Sequence, residues 1–296
     1  MTPSPLDRLA LYFGAESTRQ GLLARATLGV PAPGDPQLGR TLAAELDASI
    51  RSDGTVAGAA LPTIWRIHEL RDLGRGGADP AVATLTRRVL GMQGEPGAFG
   101  EGCDRERHAQ RVCEHYVQGF FSPAPPTVRL APVTFPNGKA FRAEPAARFA
   151  LSCLALRAAL RTNTAGLPTI DLHLRSLSTV ASGWRSWKGY FAPDVIVAGM
   201  HALALAGPQH RPTVASLVGL VAASQEPSGN WPNADFFQTL EALMATELPA
   251  ARDVVRRAVP SLEGRQRVDG TFGVAAQQER ALIGLRALLW SDGGCT

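Results

Sequence analysis

The chain has 296 residues, of which 45% are apolar and 6% aromatic, and its net charge is +4. This length can bury a sizeable core in one or two domains. The mean hydropathy is −0.02, and no apolar run reaches the roughly 18 residues of a membrane span, which excludes a transmembrane protein. The first residues lack the charged and then apolar pattern of a signal peptide, so we expect a cytoplasmic protein.

The 30 basic and 26 acidic residues are spread along the chain. Because no block of like charge occurs, we expect no nucleic-acid partner. The four cysteines (Cys103, Cys113, Cys153 and Cys295) are too scattered for a disulfide scaffold, which predicts reduced thiols. The low aromatic content also argues against a sugar-binding cleft, so an α/α-barrel glycosidase or lyase is only a minor alternative.

A short pattern, Gln-x-x-x-Gly-x-aromatic, occurs three times, at residues 93–99, 225–231 and 266–272. Composition alone gives roughly 0.06 such matches, so the pattern indicates an internal repeat. Glycines spaced 41 to 46 residues apart extend the repeat along the chain; they are Gly54, Gly97, Gly138, Gly183, Gly229 and Gly270.

Two kinds of helical segment flank these glycines. Amphipathic segments precede them and predict outer helices over residues 38–50, 79–92, 168–181, 211–224 and 249–262. Segments that are apolar on nearly all sides follow them and predict buried inner helices over residues 61–73, 108–121, 144–160, 193–205, 233–248 and 276–290. These helical segments predict an all-α fold, and since an open solenoid would need polar caps at both ends, we expect the fold to be closed. That fold is a single closed (α/α)6 barrel, or toroid, of about six helix pairs repeating every roughly 43 residues.

The predicted toroid domain covers residues 38–296. Residues 1–37 form an N-terminal helix (residues 6–28) and a connector, which packs across the ring or closes it. The proline-rich stretch at residues 121–136 falls where the third outer helix is expected. Prolines disrupt helix interiors, so this helix is predicted to be short or replaced by a loop.

The repeat resembles the QW repeat of terpenoid cyclases, which protein prenyltransferase β subunits share in a looser form. The resemblance covers roughly residues 38–290 and implies the α/α toroid fold. In that family, the glutamine and aromatic side chains tie outer helices to the turns. The resemblance implies this role for Gln93, Phe99, Gln225, Trp231, Gln266 and Phe272. The repeat is a marker of fold rather than of activity.

The chemical motifs of that family are absent or altered. The chain has no Asp-x-Asp-Asp, the general acid of squalene-type and class II diterpene cyclases. Residues 264–273 resemble a prenyltransferase segment that contacts diphosphate and zinc, and Arg265, Arg267 and Asp269 are similar to it. However, Thr271 stands where the zinc thiolate would be, and the next helix lacks the expected histidine. We therefore predict no metal and no cofactor.

Two aspartates are candidates for a catalytic acid, because both lie where an inner helix begins. Asp194 is preferred over Asp235, since its helix carries no other acidic or basic residue apart from histidine. One interpretation is a helix N-cap, which favours the ionised carboxylate. The other is an acid in an apolar cavity, whose raised pKa lets it protonate an alkene or an epoxide.

Further residues are candidates for substrate contacts. On a helix, Cys113 lies about 140° from His108, which disfavours a metal site. His115 and Tyr116 are interpreted as a base or a polar anchor in the cavity, and the alternative is a partly buried polar helix with solvated arginines. Aromatic residues early in the inner helices are candidates because the faces of their rings stabilise carbocations. For each aromatic candidate, the alternative interpretation is packing in the core. The candidates are Trp65, Tyr116, Phe149, Tyr190 and Phe236, with Gln277 at the cavity mouth and Arg265 and Arg267 for a diphosphate.

These patterns predict a terpenoid cyclase-like enzyme with a hydrophobic small-molecule substrate, such as a prenyl diphosphate or a polyene. Acid-initiated carbocation cyclisation or isomerisation would take place in an apolar central cavity. The alternative is a non-catalytic toroid that binds an isoprenoid, another lipid or a partner. Trp184, Trp187 and Lys188 have three readings: a surface contact, a peripheral membrane contact, or a lid.

Overall fold

The computed structural model describes residues 3–102, 116–122, 129–188 and 193–293, with only the backbone at Tyr116. Over these ranges the chain is mainly helical, with twelve α-helices and four short strands. The helices are α1 (Pro5–Gly14), α2 (Arg19–Leu28), α3 (Asp35–Ala48), α4 (Ala60–Asp72), α5 (Pro80–Gly91), α6 (Glu144–Leu160), α7 (Pro168–Ser182), α8 (Asp194–Ala204), α9 (Arg211–Ala223), α10 (Phe236–Ala245), α11 (Pro249–Arg265) and α12 (Gln277–Ser291).

The strands form two small antiparallel pairs. Strand β1 (Gly100–Gly102) pairs with β2 (Tyr116–Gln118), and β3 (Val133–Thr134) pairs with β4 (Ala140–Phe141). The predicted helical fold is thus confirmed, but the strictly all-α description is wrong, because hairpins occupy part of the segment between α5 and α6.

The helices lie in two layers. Helices α2, α4, α6, α8, α10 and α12 contact one another in that order, and α12 also contacts α2. In this series, α6 buries twelve of its seventeen residues, and α8 buries nine of its eleven. The helices that alternate with them in the chain pack on their outer side, as in the contacts of α1 with α12, α3 with α4, and α11 with α10. A helix that is apolar on nearly all sides needs this double-sided burial.

Two predicted helices differ from the structure. Of the inner helix expected over residues 108–121, only residues 116–121 are described, and they are not helical but include the strand Tyr116–Gln118. The rest of the predicted helix lies outside the described residues. The single helix expected over residues 6–28 is divided into α1 and α2. Thr18 caps α2 by accepting a hydrogen bond from the Gly21 amide, which starts a new helix there.

The repeat is visible as a shared turn. In four copies the glycine amide donates to the carbonyl of the residue three positions earlier. The amide of that earlier residue donates to the carbonyl of the residue that follows the glycine. The four glycines are Gly54, Gly138, Gly229 and Gly270. At Gly229 and Gly270, φ is +86° and a Cβ atom would lie 2.6 Å from a backbone oxygen, of Arg257 and Arg8 respectively. Only glycine fits there. Gly183 departs from this set, since its φ is −85°.

Gln225 ties its turn to the next outer helix. Its side-chain amide donates to the Gly229 carbonyl at 3.1 Å and to the Val254 carbonyl of α11 at 3.0 Å. Its Oε1 accepts a hydrogen bond from Arg257 Nε, one turn further along α11. The residue thus connects the end of α9 to α11.

Gln266 makes the same contacts across the ends of the chain. Its amide donates to the Gly270 carbonyl at 3.3 Å and to the Pro5 carbonyl of α1 at 3.0 Å. Its Oε1 accepts from Arg8 Nε at 2.9 Å. One side chain therefore joins the last outer helix to the first.

Replacing Gln266 by alanine is expected to destabilise the protein by about 1–3 kcal/mol, because partly buried backbone carbonyls lose their donor. Urea unfolding of Gln266→Ala measures this loss. Gln37→Ala is the matched control, since Gln37 is exposed and, within the described part of the chain, its side chain forms hydrogen bonds only with Arg40 and Thr41 of its own helix. Equal stability of the two variants would contradict the role of Gln266.

Gln93 contacts a histidine side chain of the neighbouring outer helix, whereas Gln225 and Gln266 contact a backbone carbonyl there. Its Oε1 lies 3.1 Å from His173 Nε2 on α7, and His173 Nδ1 lies 3.4 Å from the Gly97 amide. The imidazole also stacks on Phe120 at 4.8 Å. Burial lowers the pKa of His173 to about 4, so the ring is neutral in the folded protein, with Nε2 donating and Nδ1 accepting.

Acid is therefore expected to destabilise the fold through His173. The histidine in the unfolded chain takes up its proton near pH 6.5, whereas the folded one does so near 4. The contribution of His173 to the free energy of unfolding is therefore fully present above pH 6.5. It decreases by roughly 3 kcal/mol as the pH falls towards 4. Urea unfolding of His173→Asn between pH 7 and 4.5 is expected to show a shallower pH dependence than wild type. Identical slopes would refute this account.

None of the helices that the structure describes has both the length and the apolar character needed to cross a membrane.

Candidate functional site

Asp194 lies at the first residue of α8, where the inner helices begin. Its Oδ1 is 2.6 Å from Lys139 Nζ, on the turn between β3 and β4, and both side chains are partly buried. Burial raises the pKa of the Asp194 carboxyl, Lys139 opposes this shift, and the charge of Asp235 adds to it. Burial and the Lys139 charge thus act on the Asp194 carboxyl in opposite directions.

Asp235 has the N-cap role that was one of its two interpretations. Its Oδ1 accepts a hydrogen bond from the Gln238 amide at 2.9 Å, and its Oδ2 lies 3.7 Å from Arg280 Nη2 of α12. Arg280 Nε also donates to the Asn137 carbonyl at 2.9 Å. Asp235 therefore caps α10 and, through Arg280, is linked to the same hairpin turn as Asp194.

The turn of the β3–β4 hairpin enters the ring of inner helices at this end. Phe135 and Asn137 are buried, with 7% and 6% exposure. Beneath them remains a cavity of about 20 Å³, lined by Trp65, Phe135, Pro136, Asn137, Leu154, Arg157, Gln238, Glu241 and Glu279. This volume holds about one water molecule, so the hairpin turn fills the centre of the ring at this level.

Below the hairpin the ring centre is charged. Arg157 Nη2 lies 3.3 Å from Glu241 Oε1, and Arg161 Nη2 lies 2.7 Å from Asp72 Oδ1. Arg19 binds the other Asp72 oxygen as well as Glu279. The prediction of an apolar central cavity is therefore wrong for the depth that the described residues line. Charges withdrawn from water must be paired. Among the described residues, α2, α4, α10 and α12 each contribute one charged residue to these pairs, α6 with its C-cap contributes two, and α8 contributes none.

Glu241 is a partly buried acid that sequence reasoning missed. Burial raises the pKa of its carboxyl, Arg157 opposes the shift, and the nearby charge of Glu279 adds to it. In the sequence it is one charge in an otherwise apolar helix start, Phe-Phe-Gln-Thr-Leu-Glu. The only available signal was this isolated charge on a segment predicted to be buried.

The aromatic candidates divide into two groups. Trp65 lines the small central cavity, with the Arg19 guanidinium 5.5 Å from its ring. Phe149 is fully buried, and its ring centroid lies 5.5 Å from that of Phe99 and 6.2 Å from that of Trp184. The prediction that Phe149 contacts substrate is thus corrected to core packing between helices.

Phe236 and the two arginines lie near the turn before α12. The Arg265 guanidinium is 4.6 Å from the Phe236 ring and donates to Asn230 Oδ1 at 2.7 Å. Arg267 is exposed and donates to the Gly273 carbonyl at 3.5 Å. Each arginine is thus engaged with its local loop, and a contact of either with a diphosphate stays a prediction.

Several predicted residues contribute in other ways or cannot be placed. Gln277 begins α12 and donates to the Gly273 carbonyl at 3.3 Å. Asp269, which the prenyltransferase resemblance singled out, accepts hydrogen bonds from the amide and hydroxyl of Thr271 within its turn. His115, Tyr190 and the side chain of Tyr116 lie outside the described part of the chain.

Trp184 and Trp187 are buried rather than displayed at the surface. Trp184 Nε1 donates to Glu101 Oε1, and Trp187 Nε1 donates to the Pro232 carbonyl, both at 2.8 Å. Each side chain is only 8% exposed, so these residues do not supply a membrane contact. A peripheral membrane contact elsewhere stays a prediction.

The described residues contain no group of three or more His, Cys, Asp or Glu side chains arranged to hold a metal ion. Cys153 is buried and unpaired, and burial raises the pKa of its thiol. Cys103, Cys113 and Cys295 lie outside the described ranges.

The chain is similar in structure to the type II terpene cyclase MstE from Scytonema. A variant of that enzyme bound to its substrate, geranylgeranyl dihydroxybenzoate, matches with a TM-score of 0.59 and 12% identity, covering 98% of this chain and 99% of that one. A second variant, bound to the product merosterolic acid A, gives 0.58 at 12% identity over the same shares. A third, with substrate, gives 0.52 at 13% identity, over 90% and 81%.

No family model and no curated protein sequence matches this chain. At this level of identity, the structural likeness shows that the fold is that of a helical terpene cyclase. It does not assign the chemistry, which depends on the residues of the site.

Replacing Lys139 by methionine is expected to raise the pKa of Asp194, because the change removes the positive charge that opposes the effect of burial. Carboxyl carbon NMR of the protein through a pH titration measures this, with the Asp194 signal assigned from the spectrum of Asp194→Asn. Lys188→Met, which replaces the chain's other lysine, is the control and should leave the pKa unchanged. An unchanged pKa in Lys139→Met would show that the two groups are not coupled.

Proposed function

We propose that this protein is a terpenoid cyclase-like enzyme that acts on an isoprenoid substrate, with Asp194 as the proton donor. The observation that carries the proposal is a partly buried carboxyl with a raised pKa at the start of an inner helix. It occurs in a fold that solved type II terpene cyclases share over 98% of this chain. Asp235 is the weaker candidate, since its carboxylate already caps α10.

We also propose that the two helix layers form a closed (α/α)6 toroid. The support is the series of contacts from α2 through α4, α6, α8, α10 and α12 back to α2. In this arrangement α1 and α2 form the sixth pair in place of the one expected around residues 108–121. The predicted boundary at residue 37 would then divide a ring rather than separate two domains, which agrees with the expectation that the N-terminal segment closes the ring.

The chemistry would begin with protonation of an alkene by Asp194. The carboxyl O–H bond breaks, a C–H bond forms at one alkene carbon, and the other carbon becomes a cation. The next double bond attacks that cation and closes a ring. Loss of a proton from the final cation, back to the Asp194 carboxylate or to water, restores the balance, so the overall reaction is an isomerisation.

Aromatic rings near Asp194 fit this chemistry, because their faces attract positive charge. Lys139 Nζ lies 5.2 Å from the Phe141 ring centroid, and the Arg280 guanidinium lies 5.2 Å from that of Phe237. These two rings already carry cationic side chains on their faces. A carbocation of the substrate would use the same faces once those side chains are displaced.

The second candidate is a non-catalytic toroid that binds an isoprenoid or another lipid. The contact of 2.6 Å between Lys139 and Asp194 favours it, because an ion pair stabilises the carboxylate that an acid catalyst must avoid. A chain without Asp-x-Asp-Asp is consistent with both candidates.

The test is product analysis after incubation with linear prenyl diphosphates, prenylated hydroxybenzoates, squalene-like polyenes and their epoxides. If the proposal is correct, wild type forms cyclic products and Asp194→Asn loses at least about 100-fold in rate, the usual scale of general acid catalysis. Asp235→Asn is expected to keep turnover and nearly all of its stability, because asparagine caps a helix about as well as aspartate does.

Asp253→Asn serves as the matched control, because Asp253 lies on an outer helix with its side chain 61% exposed. Turnover that survives in Asp194→Asn would refute Asp194 as the acid. Retention of a prenylated ligand by the wild-type protein without any product would instead support the non-catalytic candidate.

A further inference from the structure

A second, larger cavity lies at the carboxyl-terminal ends of the inner helices. Its volume is about 710 Å³, in the range of small-molecule sites. All six inner helices or their last turns contribute to its lining, through Thr27, Asp72, Arg157, His201, Met244 and Arg286 among others. Asp194 and Leu205 stand at opposite ends of α8, about 16 Å apart along the helix axis. The cavity is thus separate from the hairpin end of the ring.

Two guanidinium groups in this cavity form no salt bridge with an acidic side chain in the part of the chain that the structure describes. Arg286 is half-buried and makes no hydrogen bond or ion pair with the residues that the structure describes. The Arg252 guanidinium lies over the face of Trp290, at 5.2 Å, and its buried Nε has no hydrogen-bond partner among the described residues. The buried Nε of Arg157 is also without a partner. Native proteins rarely leave such donors unsatisfied.

The acidic residues of the cavity compensate these groups only in part, because the charge of Arg286 acts on Glu241 without a salt bridge between them. Asp72 is bound by Arg19 and Arg161, and Glu241 is bound by Arg157. Glu247 is exposed at the rim. Buried His201 adds no positive charge near neutrality, since burial holds its pKa well below the usual value. What is left is a pair of guanidinium groups, which bind carboxylate or phosphate oxygens well.

Apolar side chains form another part of the wall. They are Leu205, Met244, Ala245, Ile283 and Trp290. Leu205 is 38% exposed, so a bound hydrocarbon would cover apolar surface that now faces water. The combination of free guanidinium groups with an apolar wall fits an anion that carries a hydrocarbon chain.

We infer that this cavity is a binding site for an amphiphilic anion, a carboxylate or a phosphate monoester with an apolar tail. Arg286 and Arg252 hold the anionic head, and Leu205, Ile283 and Trp290 contact the tail. The inference goes beyond the proposed cyclase activity and does not rest on it, because Asp194 takes no part in this site.

Isothermal titration of the full chain with octanoate, mono-octyl phosphate and 1-octanol tests the inference. The three probes share one tail and differ in the head group. At least one of the two anions is expected to bind at least tenfold more tightly than the alcohol, and comparison of the anions identifies the preferred head group. Arg286→Gln and Arg252→Gln are each expected to weaken binding of that anion at least tenfold.

Arg87→Gln is the matched control, because Arg87 is exposed on the outer helix α5; it should bind like wild type. Asp194→Asn should also bind like wild type, whatever its effect on turnover. Circular dichroism establishes that each variant is folded. Equal affinity for octanol and both anions, no binding of either anion at millimolar concentration, unchanged affinity in folded Arg286→Gln and Arg252→Gln, or loss of binding in Asp194→Asn would each overturn the inference.

Discussion

The arrangement of the inner helices depends on Arg19, the first residue of α2. Its guanidinium binds Asp72 at the end of α4 and Glu279 in the first turn of α12, the latter at 2.8 Å. The side chain is 8% exposed, so its burial has a desolvation cost that only close carboxylates can offset. One residue near the beginning of the chain therefore joins two inner helices that are otherwise distant in sequence, and α2 is held between them.

The ion pairs that start at Arg19 also divide the interior of the ring. Asp72 also forms an ion pair with Arg161, and Arg157 is paired with Glu241 deeper in the ring. An isoprenoid cannot pass through this layer without separating buried charges, which costs several kcal/mol. A ligand is thus confined to one end of the ring. At the end with Asp194, a long substrate additionally needs the space that the β3–β4 turn occupies.

Helix positions could be predicted because the signals for them are local. Ten predicted helices agree with the structure within three residues, and prolines mark the first turns of several, such as α7 and α11. Thr18 is an N-cap residue that would have revealed the division between α1 and α2. The charged interior was missed because its pairs are not local: Arg157 and Glu241 are 84 positions apart. Glu241 is the single charged residue of α10, and Arg157 lies in an otherwise uncharged stretch of α6, residues 149–160.

The contact between Lys139 and Asp194 connects the position of the hairpin to the acidity of the carboxyl. With the hairpin turn in place, Lys139 lowers the pKa of Asp194 against the effect of burial. If a substrate displaces the turn, the positive charge leaves with it and apolar groups take its place, so both changes favour the neutral acid. The proposed enzyme would then gain its proton donor only when substrate is bound. In a non-catalytic toroid, the same ion pair only fastens the hairpin, and the carboxylate stays ionised with ligand present. The protonation state of Asp194 in the ligand-bound protein is therefore the property in which the two candidate functions differ most.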